Sequence, residues 1–209
     1  MNGIQYKVNE CAIVILAAGQ SSRLGSPKQL LQFNGKSLLQ HCVEEALQTN
    51  IPVIVVVGAN SQVIKRELKD NNVTIAENKR WQEGMASSLH CGLTAAKNLK
   101  NEIDGIIFMV SDQPFVSATL LTNLLKAQDE NSLPIAASGY AGTLGTPVLF
   151  HKFFFDELMA LQGDAGARKL IEKYKNLATE ISFPEGVIDI DTVEDYKALL
   201  QHLKPGLES

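Results

Sequence analysis

Short, unbroken β-branched runs alternate along this chain with longer stretches of helical period, and that alternation limits its possible folds more than any other feature. "CAIVIL" (11–16), "VIVVV" (53–57), "VTIA" (73–76), "GIIFMV" (105–110) and "PIAAS" (134–138) read as strands without a polar face. A strand that is apolar on both sides must be covered on both sides, as in a parallel sheet between layers of helices. "SLLQHCVEEAL" (37–47), "SQVIKRELK" (61–69), "SLHCGLTAAKNL" (88–99) and "SATLLTNLLKAQ" (117–128) supply helices, several opened by serine at the N-cap. The series predicts a three-layer α/β fold.

The second half is less regular. "TPVLF" (146–150) reads as a strand, "KFFFDELMAL" (152–161) and "AGARKLIEKY" (165–174) as helices, and "DIDTVEDYKALLQHL" (189–203) as a strand end feeding a last helix. No linker, repeat or low-complexity tract interrupts the 209 residues, so one domain over 1–209 is expected, with a frayed tail at 204–209. Nineteen basic against 23 acidic residues leave a net charge of −4, which gives no general attraction to nucleic acid. No apolar run reaches the ~20 residues of a membrane helix, and "MNGIQYKVNE" lacks a secretory apolar region. Cys11, Cys42 and Cys91 lack CxxC spacing, as suits buried thiols in a reducing, cytoplasmic setting.

The first strand empties into "LAAGQSSRLGSPK" (16–28). In an open parallel sheet this is where a glycine-rich turn cradles phosphate. Gly19 and Gly25 free the backbone amides to face an anion, Ser21 and Ser22 add hydroxyls, and Arg23 and Lys28 add positive charge. The spacing is neither GxxxxGK[ST] nor GxGxxG, which excludes a P-loop and a dinucleotide fingerprint. The plainer alternative is a basic loop closing a strand–helix connection.

"MVSDQPF" (109–115) places Asp112 at the end of a central strand, on the same sheet edge, where it can hold Mg²⁺ against phosphate or serve as a turn or cap before the helix near Ser117. In "VIDIDTVED" (187–195), Asp189 and Asp191 point to one side if the segment is extended. One of them can complete the metal site, while Asp191 is equally a helix start. "NKRWQEGMASSLHCGL" (78–93) sets Gly84, Ser87 and Ser88 at a helix N-terminus suited to a base edge or a phosphate, or simply a capped helix with a packing tryptophan. "GTLGTPVLF" (142–150) and "GDAGARKL" (163–170) hold Gly145, Thr146, Asp164 and Arg168. Arg168 suits two-point phosphate binding, or an i,i+4 pair with Asp164. The four histidines show no ligand spacing.

Taken in order, "LAAGQSSRLGSPKQLL", "GMASSLHCGL", "DQP", "GTPVLF", "GDAGAR" and "DIDTVEDY" resemble the MobA-like nucleotidyltransferases of molybdenum cofactor biosynthesis over nearly the whole chain. "LAAG", "DQP" and "GDAGAR" are similar to the cytidylyltransferase branch, whereas GTP-using members usually carry glycine at the position of Ala18. Leu24 and Val193 depart from the usual methionine and proline.

The resemblance implies a Rossmann-like nucleotidyltransferase fold with a mostly parallel mixed sheet, a nucleotide-binding part at about 11–115 and an acceptor-binding part at about 116–203. It implies CTP held by Leu16, Ala17, Ala18, Gly19, Ser21, Ser22, Arg23, Lys28, Gly84, Ser87 and Ser88. The acceptor, molybdopterin or the molybdenum cofactor, falls to Gly145, Thr146, Asp164 and Arg168. Mg²⁺, or Mn²⁺ in its place, falls to Asp112 and Asp191, with Arg23, Lys28 and Asp112 as catalytic residues. The implied reaction is in-line attack of the acceptor's terminal phosphate on the α-phosphorus, releasing pyrophosphate. A monomer working on small molecules, handing its product to a molybdoenzyme or its maturation chaperone, completes the expectation. Its rivals are a nucleotidyltransferase using GTP or another phosphorylated acceptor, and a cofactor carrier without transfer.

Overall fold

A computed structural model of the chain describes residues 6–20, 27–100, 102–190 and 192–202. In chain order its elements are β1 (Cys11–Ala17), β2 (Gln32–Phe33), β3 (Lys36–Ser37), α1 (Leu38–Leu47), β4 (Val53–Val57), α2 (Ser61–Glu67), β5 (Thr74–Glu77) and α3 (Met85–Leu99). There follow β6 (Gly105–Val110), α4 (Ala118–Asn131), β7 (Ile135–Tyr140), β8 (Thr143–His151), α5 (Phe155–Ala160), α6 (Ala167–Lys173), β9 (Ala178–Ser182) and α7 (Val193–His202). Seven strands form one sheet in the order β5-β4-β1-β6-β8-β7-β9, and only β8 runs against the others.

The apolar runs behave as two-sided strands should. Ile13, Ile15, Val55 and Met109 pack under α1, α2 and α4, while Val14, Leu16, Val56 and Phe108 pack under α3, α5 and α6. Each strand therefore feeds two cores, and the α/β layering follows from that burial. Helix α1 starts where Ser37 and Gln40 exchange side-chain and backbone hydrogen bonds of 3.1 and 3.2 Å, a capping box. On α3, Gly92 lets the helix settle onto the sheet: a Cβ there would lie 2.4 Å from Val14 Cγ1.

Three local readings shift. Helix α3 begins at Met85 rather than Ser88, because Gly84, at φ +99°, turns the chain and the Gly163 carbonyl takes the Ala86 amide at 3.0 Å. Residues 189–190 join no strand. Ile190 is instead buried with Phe33, Leu38 and Leu199, seating α7 beside the β2–β3 hairpin, and its amide reaches the Asp112 carbonyl at 3.3 Å. Finally β9, with its polar sequence "ATEIS", pairs with β7 as an unanticipated edge strand. Among the described residues no helix is long and apolar enough to cross a membrane.

Candidate active site

Strand β1 pairs with β4 on one side and β6 on the other; α1 and α2, which follow β1 and β4, lie on one face of the sheet, and α3, which carries the chain back from β5 to β6, lies on the other. Such a reversal leaves a crevice beyond the carboxyl ends of the strands. Here it forms a cavity of about 320 Å³, floored by Leu16 and Ala18 from β1 and its exit, and by Val110 and Asp112 from the end of β6. Gly19, Lys28 and Gln29 wall one side, and Trp81, Gly84, Met85 and Ser88 another. A second cavity of about 390 Å³ holds Gln113, Tyr140, Thr143, Thr146, Arg168 and Asp189. Val110 and Asp112 line both cavities, so Asp112 stands in the partition between them.

Lys28 and Asp112, 84 residues apart, meet there as an ion pair through Nζ and Oδ2, with side chains only 18% and 15% exposed. Ser117, not Asp112, caps α4, its hydroxyl accepting the Leu120 amide at 3.2 Å. The cap alternative for Asp112 is thereby removed. Its other oxygen, Oδ1, is buried without a hydrogen-bond partner among the described residues. A buried anionic oxygen of this kind suits a hard divalent cation, which takes one or two carboxylates and completes its shell with phosphate and water. No group of three or more His, Cys, Asp or Glu side chains forms a metal cage among the described residues. Behind Asp112, the buried Cys42 thiol is pushed up to about 12, by desolvation first and then by the negative charges of Asp112 and Glu45.

The predicted residues distribute as follows. Leu16, Ala18, Gly19, Lys28, Gly84, Ser88 and Asp112 line the first cavity, and Thr146 and Arg168 the second. Asp164 lines the first cavity, at the flank of Gly84, and not the second. Ala17 is buried, and Gly145 packs so closely on Tyr140 that a Cβ would meet its hydroxyl at 2.1 Å; neither lines a cavity. Ser87 turns away, its hydroxyl 2.9 Å from the Arg80 carbonyl and 2.8 Å from that of Gly84. Ser21, Ser22, Arg23, Gly25 and Asp191 lie outside the described residues. Arg168 pairs with Glu172 at 2.9 Å and reaches Thr143 at 3.2 Å, because α6 starts at Ala167 and leaves Asp164 off the helix.

Three buried amides escaped the sequence reading. Gln29 donates from Nε2 to the Ala17 and Gly19 carbonyls, both at 3.2 Å, and so fixes the exit of β1. Gln113 donates to the Gly186 carbonyl at 3.1 Å and accepts from the Thr146 hydroxyl at 3.1 Å, tying the second cavity to the partition. Asn78 holds Ser87 and Ser88 through Nδ2 at 2.8 and 3.1 Å. Each sat inside a stretch singled out from the sequence, Gln29 in "LAAGQSSRLGSPKQLL", Asn78 at the head of "NKRWQEGMASSLHCGL" and Gln113 in "DQP", but none was given a role there.

Residues 13–178 match the family described as the MobA-like NTP transferase domain. Nicotine blue oxidoreductase of Paenarthrobacter nicotinovorans is 32% identical over 200 residues, covering 90% of this chain and 95% of that protein. Molybdenum cofactor cytidylyltransferase of Escherichia coli K12 is 23% identical over 185 residues, covering 88% of this chain and 92% of that one. Among solved structures, Rv0371c of Mycobacterium tuberculosis H37Rv superposes with a TM-score of 0.79 at 28% identity, over 93% of this chain and all (100%) of that one. The same mycobacterial protein has been solved in complex with manganese, with a TM-score of 0.75 at 26% identity over 92% of this chain and 99% of that one.

Proposed function

The chain belongs to the MobA-like NTP transferase family, and from that premise we propose that it transfers CMP from CTP to the terminal phosphate of molybdopterin or the molybdenum cofactor, releasing pyrophosphate. One observation carries the reading: two cavities meet at a single carboxylate, Asp112, which is paired with a lysine. A transferase needs two anionic substrates end to end with charge-neutralising groups at the junction, whereas a carrier needs one cavity and no junction. The similarity to a cytidylyltransferase supports the choice of nucleotide. Ala18 in "LAAG" supports it too.

In this reading the cytosine lies against Ala18, Trp81 and Ser88, and the phosphates run past Gly19 to Lys28. The acceptor's terminal phosphate enters from the side of Thr146 and Arg168. One of its oxygens forms the new bond to the α-phosphorus as the bond to the bridging α,β-oxygen breaks, and the pair of electrons leaves on pyrophosphate. An ionised phosphate is already a nucleophile, so no side chain has to remove a proton. Lys28 offsets the repulsion between the two anions and the charge that builds on the leaving group, while Gln29 holds the β1 exit in the shape that admits the phosphates. A divalent cation, held by Asp112 with Asp191 as its second carboxylate, would add Lewis-acid neutralisation of the phosphate oxygens. The reading carries with it a cytoplasmic monomer acting on small molecules.

Pyrophosphate release is measured with Mg²⁺ and purified molybdenum cofactor, comparing CTP, GTP, ATP and UTP. Release with CTP alone, and only when the cofactor is present, is the expected result. Release with GTP alone would move the assignment to a guanylyltransferase. Cofactor binding without release from any nucleotide would leave a carrier.

A further inference from the structure

The base end of the first cavity holds a hydroxyl whose direction is fixed from behind. Asn78 is 5% exposed and sits at the end of β5, next to the N-terminus of α3. Its Oδ1 accepts the Arg80 amide at 2.9 Å, so the other end of the amide is the NH₂ group, with no choice of flip. That NH₂ donates one proton to Ser87 Oγ and one to Ser88 Oγ. Ser87 passes its own proton to a carbonyl of Arg80 or Gly84 and is satisfied. Ser88 is 5% exposed, lines the cavity, and among the described residues no protein acceptor takes its proton. A buried hydroxyl that already accepts from an amide and faces a cavity is left presenting a donor.

We propose that Asn78 is a positioning residue for base choice: it holds Ser88 as a hydrogen-bond donor toward the ring nitrogen of the nucleotide base. The inference rests on the nucleotide-transfer reading and deepens it. Cytosine offers an unprotonated N3, an acceptor; uracil offers N3–H, a donor, in the same place. A hydroxyl locked as donor pairs with the first and is confronted by a second donor in the other, which leaves two buried donors facing each other. An asparagine seven positions before the start of α3 thus selects the base without touching it.

Binding of CTP and UTP to the full-length protein with Mg²⁺ is read from the fluorescence of Trp81, the chain's single tryptophan and a wall of the cavity. Wild type is expected to prefer CTP by at least about 10²-fold, since a site built to hydrogen-bond its substrate rejects an analogue that leaves its polar groups unpaired by up to about 10⁴–10⁵. In Asn78→Asp the carboxylate accepts from Ser88 and turns its lone pairs to the cavity, so the CTP:UTP ratio should fall by about tenfold or more and move toward UTP. Ser88→Ala should bring the ratio toward one, and it carries the test if Asn78→Asp fails to fold by circular dichroism. A merely structural role would weaken both nucleotides together and leave the ratio where it was. Binding with unchanged ratios in both variants, or a wild type that does not separate CTP from UTP, overturns the assignment while nucleotide binding stands. A wild type that binds no nucleoside triphosphate overturns the transfer reading and this inference with it.

Discussion

Lys28 and Asp112 form an ion pair in the partition, and each is also the group that a phosphate or a cation would seek. Their effects on catalysis should therefore overlap. Lys28→Ala and Asp112→Asn are each expected to lower kcat/KM by about 10²-fold, the cost of removing one preorganised charge-stabilising group. The double variant should lose little more than the worse single one, because residues that act as a unit are not additive. Steady-state kinetics of the four proteins checks this, and a strictly multiplicative loss would mean that the two act separately. At the same scale, His151 ties stability to pH. Its Nδ1 accepts the Phe153 amide at 3.1 Å, which requires a neutral ring. Burial, and then the Lys152 charge, hold its pKa below the usual 6.5, with Asp104 opposing. The folded state thus binds the proton more weakly than the unfolded one, and this contribution to stability is fully present above about pH 6.5 and is lost as the pH falls from there through the lower folded-state value. Urea denaturation at successive pH values should show this loss in the wild type and a flatter profile in His151→Gln.

Among the elements, α3 is the one whose placement defines the cavity, and two glycines, Gly84 at its start and Gly92 against the sheet, set it. At its start, Gly84 holds φ +99° with no room for a Cβ, which would come within 2.4 Å of the Gly163 backbone. Gly84→Ala should destabilise the fold by about 1–3 kcal/mol and weaken nucleotide binding, because the helix start has to move. Thermal denaturation and Trp81 quenching test both. Elements of this kind also mark how far the sequence can be read. Strands β1, β4 and β6 were legible because each is apolar on both faces, and α1 and α4 because Ser37 and Ser117 announce them. Strand β9 was not, since an edge strand with Thr179, Glu180 and Ser182 half in solvent has no distinguishing pattern. Lys28 and Asp112 were legible because each follows the carboxyl end of a central strand in a stretch of glycine, proline or serine, where an open parallel sheet binds its ligands. Gln29, Asn78 and Gln113 were not, because an amide looks alike in sequence whether it hangs in water or is buried at the centre of a site. The i,i+4 arithmetic for Asp164 and Arg168 failed for want of a helix boundary that only the loop's packing supplies.

At the scale of the whole molecule, the sheet brings together pieces from its full length. Residues from the exit of β1, the end of β6, the start of α3 and the loop before α6 line one cavity, and β8 with the segment before α7 contributes to the other. Because β8 runs antiparallel between β6 and β7, Thr146 comes within 3.1 Å of Gln113 although 33 residues separate them. The fold therefore holds two chambers that share only Val110 and Asp112 among the residues lining them, with Asp112 the charged one in the common wall. For anyone seeking to block the protein with a small molecule, that wall sorts the possible outcomes in advance. A compound confined to the chamber of Trp81 and Ser88 should compete with the nucleotide and leave the affinity for the acceptor untouched, and one confined to the chamber of Thr146 should do the reverse. Only a ligand long enough to pass Asp112 should compete with both, so the inhibition pattern becomes a measure of how far a compound reaches.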